Sequence, residues 1–539
     1  NPITLQKFRD WLKTQYASLD ALNAEWDTKF AAWNDVKPFT TDQIKNRMAS
    51  GDAIPRGNPD WQAVERIKFD PVQARKEPMK WNLAPWCDFR TYMDISLSGA
   101  LDDIRKSAHQ LDPRTPVGIE GEQAASAFGG HDLWRLSQAV DWVEPYDIGN
   151  AREIFGSFMP GKPIVTTVGE SDANHAARRL WHLLLEGDKG CIVWWSEDCI
   201  DWKSDDYALT PKGQALAPVL KEMTSPLAAL FLRAKPVTDP IAIHYSQASI
   251  QVDWLIESTG DGSTWLRRFS SYESSHNRVM KVRDGWLKAL QDLGYTPQFV
   301  SSEQIEQGAL GKFRALVLPD SYALSERENA AIEKFTAARN TVFEGETPAC
   351  FDEHGKLIVP PRPWSKNLFE GMMPPPGEDL GNSVLNVGGT GGDLMDFPKV
   401  RVDTYALTRL AKQSDFSWPR YIERNITVLH PEVSVPLESR THIHRYTLGA
   451  ARLVAFERNV DYHMGEDLKQ GGGNETLEMP VDLDAKLDKP AHAYDLRTGK
   501  YLGLTSDIKF TLDPWRPSLY ALLPQQIPEE KLMDYLAAQ

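Results

Sequence analysis

The sequence predicts an α/β protein in three parts: the C-terminal half of a (β/α)8 TIM barrel, a flavodoxin-like α/β domain and a small C-terminal β-sandwich. Short apolar runs alternate with helical patterns up to about residue 200, and a second alternation of the same kind begins near Pro236. From about Ile426 the pattern changes to short strands separated by turn residues. The predicted boundaries of the three parts are 1–228, 235–425 and 426–539.

Length and charge limit the classes to which this protein can belong. A chain of 539 residues fits roughly two to four domains. Lys and Arg number 60 against 75 Asp and Glu, which gives a formal charge of −15. This acidic balance argues against nucleic acid or an anionic membrane as the main partner, because both attract positive surfaces. No stretch reaches the ~18 uninterrupted apolar residues that indicate a membrane-spanning helix.

The cysteines and the opening residues say little about the compartment. Cys87, Cys191, Cys199 and Cys350 are too few for a disulfide framework and include no C-x-x-C pair. A bridge between Cys191 and Cys199 is conceivable, with buried thiols as the alternative. The first residues lack the charged and apolar regions of a signal peptide, so the localisation stays open.

The first part begins with helical patterns. Apolar residues from Phe8 to Trp26 recur at helical spacing, and a similar pattern covers about 88–110. Between them, residues 34–80 are polar and rich in Pro, Gly and charge, which predicts a long loop.

Four apolar runs with helical patterns between them then predict parallel βα units. The runs are 116–119, 140–146, 163–168 and 190–195. Each ends in polar or aromatic residues, as expected where a barrel places its site at the C-terminal ends of its strands. A closed barrel needs eight strands, so we expect the first half to be missing from this sequence. An open α/β sheet built from the four runs is the alternative.

The second part alternates strands with helices in the manner of a doubly wound domain. The predicted strands are 241–245, 297–300, 315–319 and 341–344, with helices at 275–294 and 325–338. Nucleotide binding is not expected, because neither G-x-G-x-x-G nor a P-loop is present. The Pro/Gly-rich residues 357–395 predict a linker, and 403–413 a helix that docks back.

Glu170 is the first candidate for catalysis. It ends an apolar run after a glycine, where a barrel strand would open into the site. A glycosidase needs two carboxyl groups, one of which acts as nucleophile or base near the anomeric carbon. The alternative is a solvated loop glutamate.

Other polar and aromatic residues near the strand ends are candidates for contacts with a sugar. Those that we single out are Glu120, His131, Tyr146, Trp194, Trp195 and Asp198. The Tyr146 hydroxyl could hydrogen-bond a neighbouring carboxylate and hold it ionised. The chain has 18 tryptophans, and exposed indole rings beside acidic groups suit sugar binding, with core packing as the alternative.

Metal and cofactor sites are not expected. His442 and His444 have an H-x-H spacing, but the sequence shows no cysteine or cluster of carboxylates beside them, and strand alternation explains the spacing equally well. His175 and His182 read as solvated helix residues. No G-x-S-x-G motif indicates a serine hydrolase.

The order of parts resembles glycoside hydrolase family 42, the β-galactosidase-like group of clan A. FRDWLKTQYASLDALNAEWDTKF looks like the helical segment after the fourth barrel strand of that family. PIVTTVGESD and RRLWHLLLEGDKGCIVWWSED look like its seventh strand, helix and eighth strand. The family's nucleophile position then falls on Glu170. The family's acid/base, in an Asn-Glu pair that ends strand four, falls before the first residue.

The resemblance implies a retaining glycoside hydrolase that cleaves a β-galactoside-like bond in an oligo- or polysaccharide. It also implies a missing segment or partner chain that supplies the first half of the barrel, and a homo-oligomer, a trimer through residues 235–425. The alternative is a non-catalytic carbohydrate-binding or assembly protein on the same scaffold.

Overall fold

The computed structural model describes residues 1–257, 277–344, 348–362, 422–460, 462 and 474–539. Within these ranges Glu65, Gln123, Asp147, Ser171, Trp195, Asn425, Thr427 and Val428 are not described. The candidate residue Trp195, the predicted helix 403–413 and most of the predicted linker 357–395 therefore lie outside the described residues.

The chain begins with two helices, α1 (Pro2–Gln15) and α2 (Leu19–Trp26), as the sequence predicts. The side chain of Ser18 accepts a hydrogen bond from the N–H of Ala21, so the break between the helices is a capped helix start. Phe8, Leu12 and Trp26 are buried in a small aromatic-rich core.

The prediction of a loop over residues 34–80 is wrong in part. This region contains α3 (Thr41–Ser50), α4 (Trp61–Val64) and α5 (Pro71–Ala74), with 3-10 turns at Trp33–Asp35 and Pro78–Trp81. Thr40 and Gln43 form a capping box that stabilises the first turn of α3. Ile44 and Met48 lie four residues apart on one face of that helix and are buried. The long helix α6 (Ala84–Leu111) follows.

Four parallel strands then alternate with helices. The elements are β1 (Gly118–Glu122), α7 (Leu133–Ala139), β2 (Trp142–Pro145), α8 (Ala151–Phe158), β3 (Val165–Val168), α9 (Ala173–Glu186) and β4 (Gly190–Val193). β1 pairs with β2, and β3 pairs with β4. A parallel bridge between Val143 and Ile164 joins the two pairs, so the strands lie side by side in chain order. The parallel pairing agrees with the sequence-based prediction.

The outer edges of this four-stranded unit are open. Among the described residues, β1 and β4 each pair with a neighbour on one side only. Thr166, Thr167 and Val168 of β3 are buried, whereas Ile192 and Val193 of β4 are only half-buried. Parallel sheets are normally covered on both faces. The unit therefore leaves apolar strand surface uncovered at the β4 edge.

Two helices, α10 (Pro211–Met223) and α11 (Pro226–Arg233), connect the four-stranded unit to the rest of the chain. In the described part of the chain, no single helix is long and apolar enough to cross a membrane. α10 and α11 pass that test of length and composition only as a pair, with a bend of 54° between them.

The second unit has a four-stranded parallel sheet. Its elements are β6 (Ile241–Tyr245), α12 (Gln247–Glu257), α13 (Arg278–Asp292), β7 (Gln298–Ser301), α14 (Ser302–Glu306), β8 (Ala315–Leu318), α15 (Glu326–Ala337) and β9 (Thr341–Glu344). The strand order is β7-β6-β8-β9, which is the order of the first four strands of a 2-1-3-4-5 doubly wound sheet. The sequence-based reading missed α12, whose residues Ile250 and Trp254 are buried four positions apart.

The last part is antiparallel. β5 (Lys235–Pro236), β10 (Val433–Ser434), β11 (Thr441–Leu448), β12 (Ala451–Arg458), β13 (Val481–Asp495), β14 (Tyr501–Leu512) and β15 (Ser518–Leu523) join one hydrogen-bonded sheet, and α16 (Leu532–Ala537) follows. Along β15, Leu519 and Ala521 face one core, and Tyr520 and Leu522 face another. These described strands form a single network, so the two facing sheets of a sandwich stay a prediction.

A buried ion-pair network fixes β3 to the helices beside it. Nε of Arg152 on α8 donates to Oδ1 of Asp188 at 2.7 Å, and Nη1 donates to Oε2 of Glu186 at 3.1 Å. Oδ2 of Asp188 accepts hydrogen bonds from the N–H and the hydroxyl of Thr166 on β3 at 3.1 and 2.6 Å. The network therefore sets the position of the strand that leads to Glu170.

We expect Arg152→Leu to lower the free energy of unfolding by about 3–5 kcal/mol, because it leaves Asp188 and Glu186 charged and buried without their cation. Arg105→Leu is the matched control. Arg105 is half-buried and pairs with Asp102 at 2.6 Å, and an ion pair that water still reaches contributes about 1 kcal/mol or less. Urea unfolding followed by tryptophan fluorescence measures both. Equal losses in the two variants would contradict the role assigned to the network.

Candidate active site

Carboxylates gather at the C-terminal ends of β1, β2 and β3. Glu120 and Glu122 lie within β1, Glu144 lies in β2, and Glu170 follows β3. The sequence predicted that this strand ends at residue 119 and that Glu120 follows it, but the strand extends to Glu122. Because parallel strands end at the same edge of a sheet, these side chains share one end of the four-stranded unit.

Glu170 is half-buried, and its Oε2 is buried without a hydrogen-bond partner among the described residues. Buried carboxylate oxygens in folded proteins nearly always have a partner, so this oxygen is an available acceptor. Burial, Asp188 and Glu170 together raise the pKa of the Cys191 thiol on β4 to about 11. Val168 pairs with Val193, and the N–H of Trp194 donates to the carbonyl of Val168, so Glu170 lies just past the end of the edge strand β4.

Tyr146, Glu144 and Trp194 form a second group at this end of the sheet. Oε2 of Glu144 accepts a hydrogen bond from the N–H of Gly121 at 2.6 Å. The Tyr146 ring meets the Trp194 ring edge-on, with centroids 6.1 Å apart. Burial raises the pKa of Tyr146, and the charges of Glu144 and Glu120 raise it further. Acidic, phenolic and indole groups thus lie together at the ends of β1, β2 and β4.

Tyr146 lies next to carboxylates other than that of Glu170. Within the described part of the chain, the structure shows no hydrogen bond between Tyr146 and Glu170. The charges that act on Tyr146 are those of Glu144 and Glu120. Glu144 is not among the residues predicted from the sequence, because it lies inside an apolar run. Burial raises the pKa of Glu144, the Gly121 N–H lowers it in part, and Glu120 raises it again.

His131 is held against β1. Its Nδ1 lies 2.9 Å from Oε1 of Glu122, which is buried at the end of the strand. This hydrogen bond raises the pKa of His131; burial opposes the shift, and the charge of Glu122 adds to it. Gly129, at φ +90°, allows the loop to approach α6, since a Cβ there would lie 2.5 Å from that of Met93. The next residue, Asp132, is buried and caps the N-terminus of α7.

The end of β4 presents exposed aromatic rings. Trp194 is 37% exposed, and Asp198 follows it in an exposed 3-10 turn. Farther along, Trp202 and Tyr207 are 61% and 62% exposed, and their ring centroids are 5.9 Å apart. This pair was not predicted from the sequence. The only sign of it there is the segment D-W-K-S-D-D-Y, in which two aromatic residues stand among acidic ones. Large exposed rings beside acidic residues suit stacking against sugar faces.

Among the predicted residues, the structure thus places Glu120, Tyr146 and Trp194 close together. Glu144, which was not predicted, belongs to the same group. The structure places His131 with Glu122, and Glu170 just past the end of β4. Asp198 lies at the same strand ends but makes no described contact with these groups; its described ionic neighbour is Lys212, 3.9 Å away. None of the four cysteines, all of which are described, forms a disulfide.

The residues that could hold a metal ion lie elsewhere. His182, Glu186, His442 and His444 each offer one ligand atom, and these atoms all lie within 4.8 Å of one another. The prediction that His182 is solvated is wrong, because it is buried. The view that no carboxylates accompany the H-x-H pair is also wrong, because Glu186 and Glu457 lie next to it in the fold.

No protein-family model and no curated protein sequence matches the chain, but solved structures do. The exo-carrageenase of family GH42 from Bacteroides ovatus superposes with a TM-score of 0.54 at 13% identity, over 97% of this chain and 63% of that one. A β-galactosidase from Bacillus circulans sp. alkalophilus gives 0.59 at 13% identity, over 96% and 76%. A catalytic mutant of Gan42B, a GH42 β-galactosidase from G. stearothermophilus, gives 0.59 at 12%, over 96% and 75%.

These comparisons concern the fold. At 11–14% identity they show that the chain has a mixed α/β, GH42-like architecture of the kind found in glycoside hydrolases. The chain spans less than two thirds of the length of the Bacteroides ovatus enzyme.

Proposed function

We propose that this protein is a glycoside hydrolase that cleaves a β-galactoside-like bond in an oligo- or polysaccharide with retention of configuration. The observation that carries the proposal is the position of Glu170, which follows β3 and has a buried carboxylate oxygen without a partner among the described residues. The GH42-like fold supports the class of reaction, and the acidic and aromatic groups around the same strand ends support a sugar as the ligand.

In the proposed mechanism Glu170 is the nucleophile. One of its oxygens attacks the anomeric carbon and forms a covalent glycosyl-enzyme while the bond to the leaving-group oxygen breaks. A second carboxylic acid, ~5–5.5 Å away, protonates that oxygen. The resulting carboxylate then takes a proton from water, which attacks the anomeric carbon and releases Glu170.

The remaining candidate residues bind the sugar in this proposal. Trp194, with Trp195 next to it, supplies an apolar face for a pyranose ring. Glu120, Tyr146, His131 and Asp198 offer hydrogen-bonding groups to the hydroxyls. The buried Glu144, which lies next to Tyr146, holds the N–H of Gly121 and so fixes the end of β1.

We also propose that β1 to β4 are half of a (β/α)8 barrel, and that a further segment or a partner chain supplies the other half together with the acid/base. The half-buried β4 and the unpaired edges among the described strands support this arrangement. The domain limits 1–228, 235–425 and 426–539, a flavodoxin-like middle domain, a C-terminal sandwich and a homotrimer belong to the same proposal.

A carbohydrate-binding protein without turnover is the second candidate. The exposed pair Trp202 and Tyr207 favours it, because two adjacent exposed rings give a platform for sugar rings without any catalytic group.

We expect Glu170→Gln to lower kcat by at least about 10³-fold, because the amide cannot form the glycosyl-enzyme. The rate is measured on the native assembly, that is, this chain together with the segment or partner chain that completes the barrel. Sugar affinity should be retained. Hydrolysis of nitrophenyl β-galactoside and of galactose-containing polysaccharides gives the rate, and calorimetric titration gives the affinity.

The matched control for that variant is Asp172→Asn, two residues along the same loop. Asp172 caps α9, and Asn caps a helix as well as Asp does, so its rate should stay close to wild type. An unchanged rate in Glu170→Gln would refute the nucleophile assignment. Sugar binding without turnover in wild type would favour the binding protein.

If the barrel is completed by further chain, material purified from the natural source should contain it. We expect the denatured mass to exceed that of these 539 residues, or a second polypeptide to co-purify in a fixed ratio. Intact-mass spectrometry and light scattering measure the chain masses and the assembly mass. A single polypeptide of 539 residues would contradict the completed barrel, and a monomer would contradict the trimer.

A further inference from the structure

A histidine and glutamate cluster lies between α9 and the C-terminal sheet. His182 and Glu186 are four residues apart on one face of α9, and His442 and His444 are two apart on one face of β11. The rings of His442 and His444 have centroids 4.0 Å apart. One ligand atom from each of the four residues lies within 4.8 Å of the others.

Glu457 on β12 orients two of these histidines. Its Oε1 lies 2.7 Å from Nδ1 of His182 and 2.8 Å from Nε2 of His444. A carboxylate only accepts hydrogen bonds, so both of these nitrogens carry a proton and donate it. A neutral imidazole protonated on one nitrogen keeps a lone pair on the other. A carboxylate behind a histidine is the usual outer-shell arrangement of a metal site.

Two ring nitrogens of the cluster are buried without a partner in the described part of the chain. Nε2 of His182 and Nε2 of His442 are buried and have no hydrogen-bond partner among the described residues. Nδ1 of His444 lies 3.9 Å from Oε1 of Glu186. Two buried, unsatisfied ring nitrogens in one cluster are costly, so these histidines are short of a binding partner.

The charges in the cluster fit a cation. Neutral imidazole nitrogens and ionised carboxylate oxygens are the donors that bind a metal ion. Oε1 of Glu186 lies 3.7 Å from Nδ1 of His442 and 3.9 Å from Nδ1 of His444. Because Arg152 binds Oε2 of Glu186, Oε1 is left to face the histidines.

We propose that His182, Glu186, His442 and His444 form a closed four-ligand site for a divalent transition-metal ion, Zn²⁺ first, with Glu457 as the positioning residue behind two of the histidines. Three imidazoles and one carboxylate are a donor set that Zn²⁺ takes in tetrahedral geometry. Ligand bonds of ~2.0–2.1 Å in a tetrahedron place the donors ~3.3 Å apart, so donors that lie up to 4.8 Å apart here would move together when the ion binds.

The ion would have a structural role. All four positions come from protein, so no open position remains for water or substrate. It would join α9, which starts three residues after Glu170, to β11 of the C-terminal sheet. The metal would therefore fix the sheet against the helix that supports the candidate nucleophile.

The test uses the chain without a histidine tag, purified without chelators and then dialysed against Zn²⁺ or Co²⁺. We expect about one ion per chain by plasma mass spectrometry. The Co²⁺ form should show the strong visible absorption of a tetrahedral site. Zn²⁺ should raise Tm of the chelator-treated protein by at least about 2 °C, since only the folded state binds the ion.

His442→Asn and His444→Asn should each lose the bound ion and the Co²⁺ band. The control is His492→Asn, because His492 lies in the same sheet and contacts Tyr501 rather than the cluster; it should keep both. Wild-type protein that binds no metal and shows no Tm shift would overturn the proposal, even if the variants fail to fold. An unchanged Co²⁺ band in His442→Asn would overturn it as well.

Discussion

The arrangement of the site depends on the ion pairs that the buried guanidinium of Arg152 forms. Arg152 holds Asp188, and Asp188 accepts two hydrogen bonds from Thr166 on β3. Arg152 also holds Glu186, which faces the histidines of β11. A buried charge requires its partner. The strand that leads to Glu170 and the C-terminal sheet are therefore fixed by the same cation.

The four-stranded unit has an acidic and aromatic end and, among the described strands, two unpaired edges. The inner strand β3 is buried, and the carboxylates of β1 and β2 and the indole of β4 meet at one end of the unit. Ile192 and Val193 of β4 remain half-buried. An acidic, aromatic strand end beside an apolar open edge is what half of a sugar-cleaving barrel would present. The proposed hydrolase and its proposed missing half are therefore one account of the same surface.

The sequence predicted most of the strands, because buried parallel strands are short apolar runs that periodicity detects. It missed α3, because the capping residues Thr40 and Gln43 stand in a segment that is otherwise rich in Pro, Gly and charge. It missed α12 because the apolar face of that helix comes directly after β6. The spacing of apolar residues thus predicts a helix or a strand correctly where a segment keeps a single spacing and turn residues stand at its ends.

The candidate site was only partly predictable. Glu170, Tyr146 and Trp194 end apolar runs, so position along the strand identified them. Glu144 lies within such a run and was overlooked. The histidine cluster could not be predicted, since His182 and His442 are far apart in sequence and meet only when α9 packs on β11. Contacts of that kind follow from tertiary packing.

The most direct test of the nucleophile is to trap the covalent intermediate on the native assembly. A dinitrophenyl 2-deoxy-2-fluoro-β-galactoside forms the glycosyl-enzyme of a retaining enzyme quickly and slows its hydrolysis. Peptide mapping by mass spectrometry then locates the sugar. The account predicts one fluorosugar per chain, bound to the peptide that contains Glu170. A fluorosugar on any other carboxylate, in an assembly that hydrolyses β-galactosides, would contradict it.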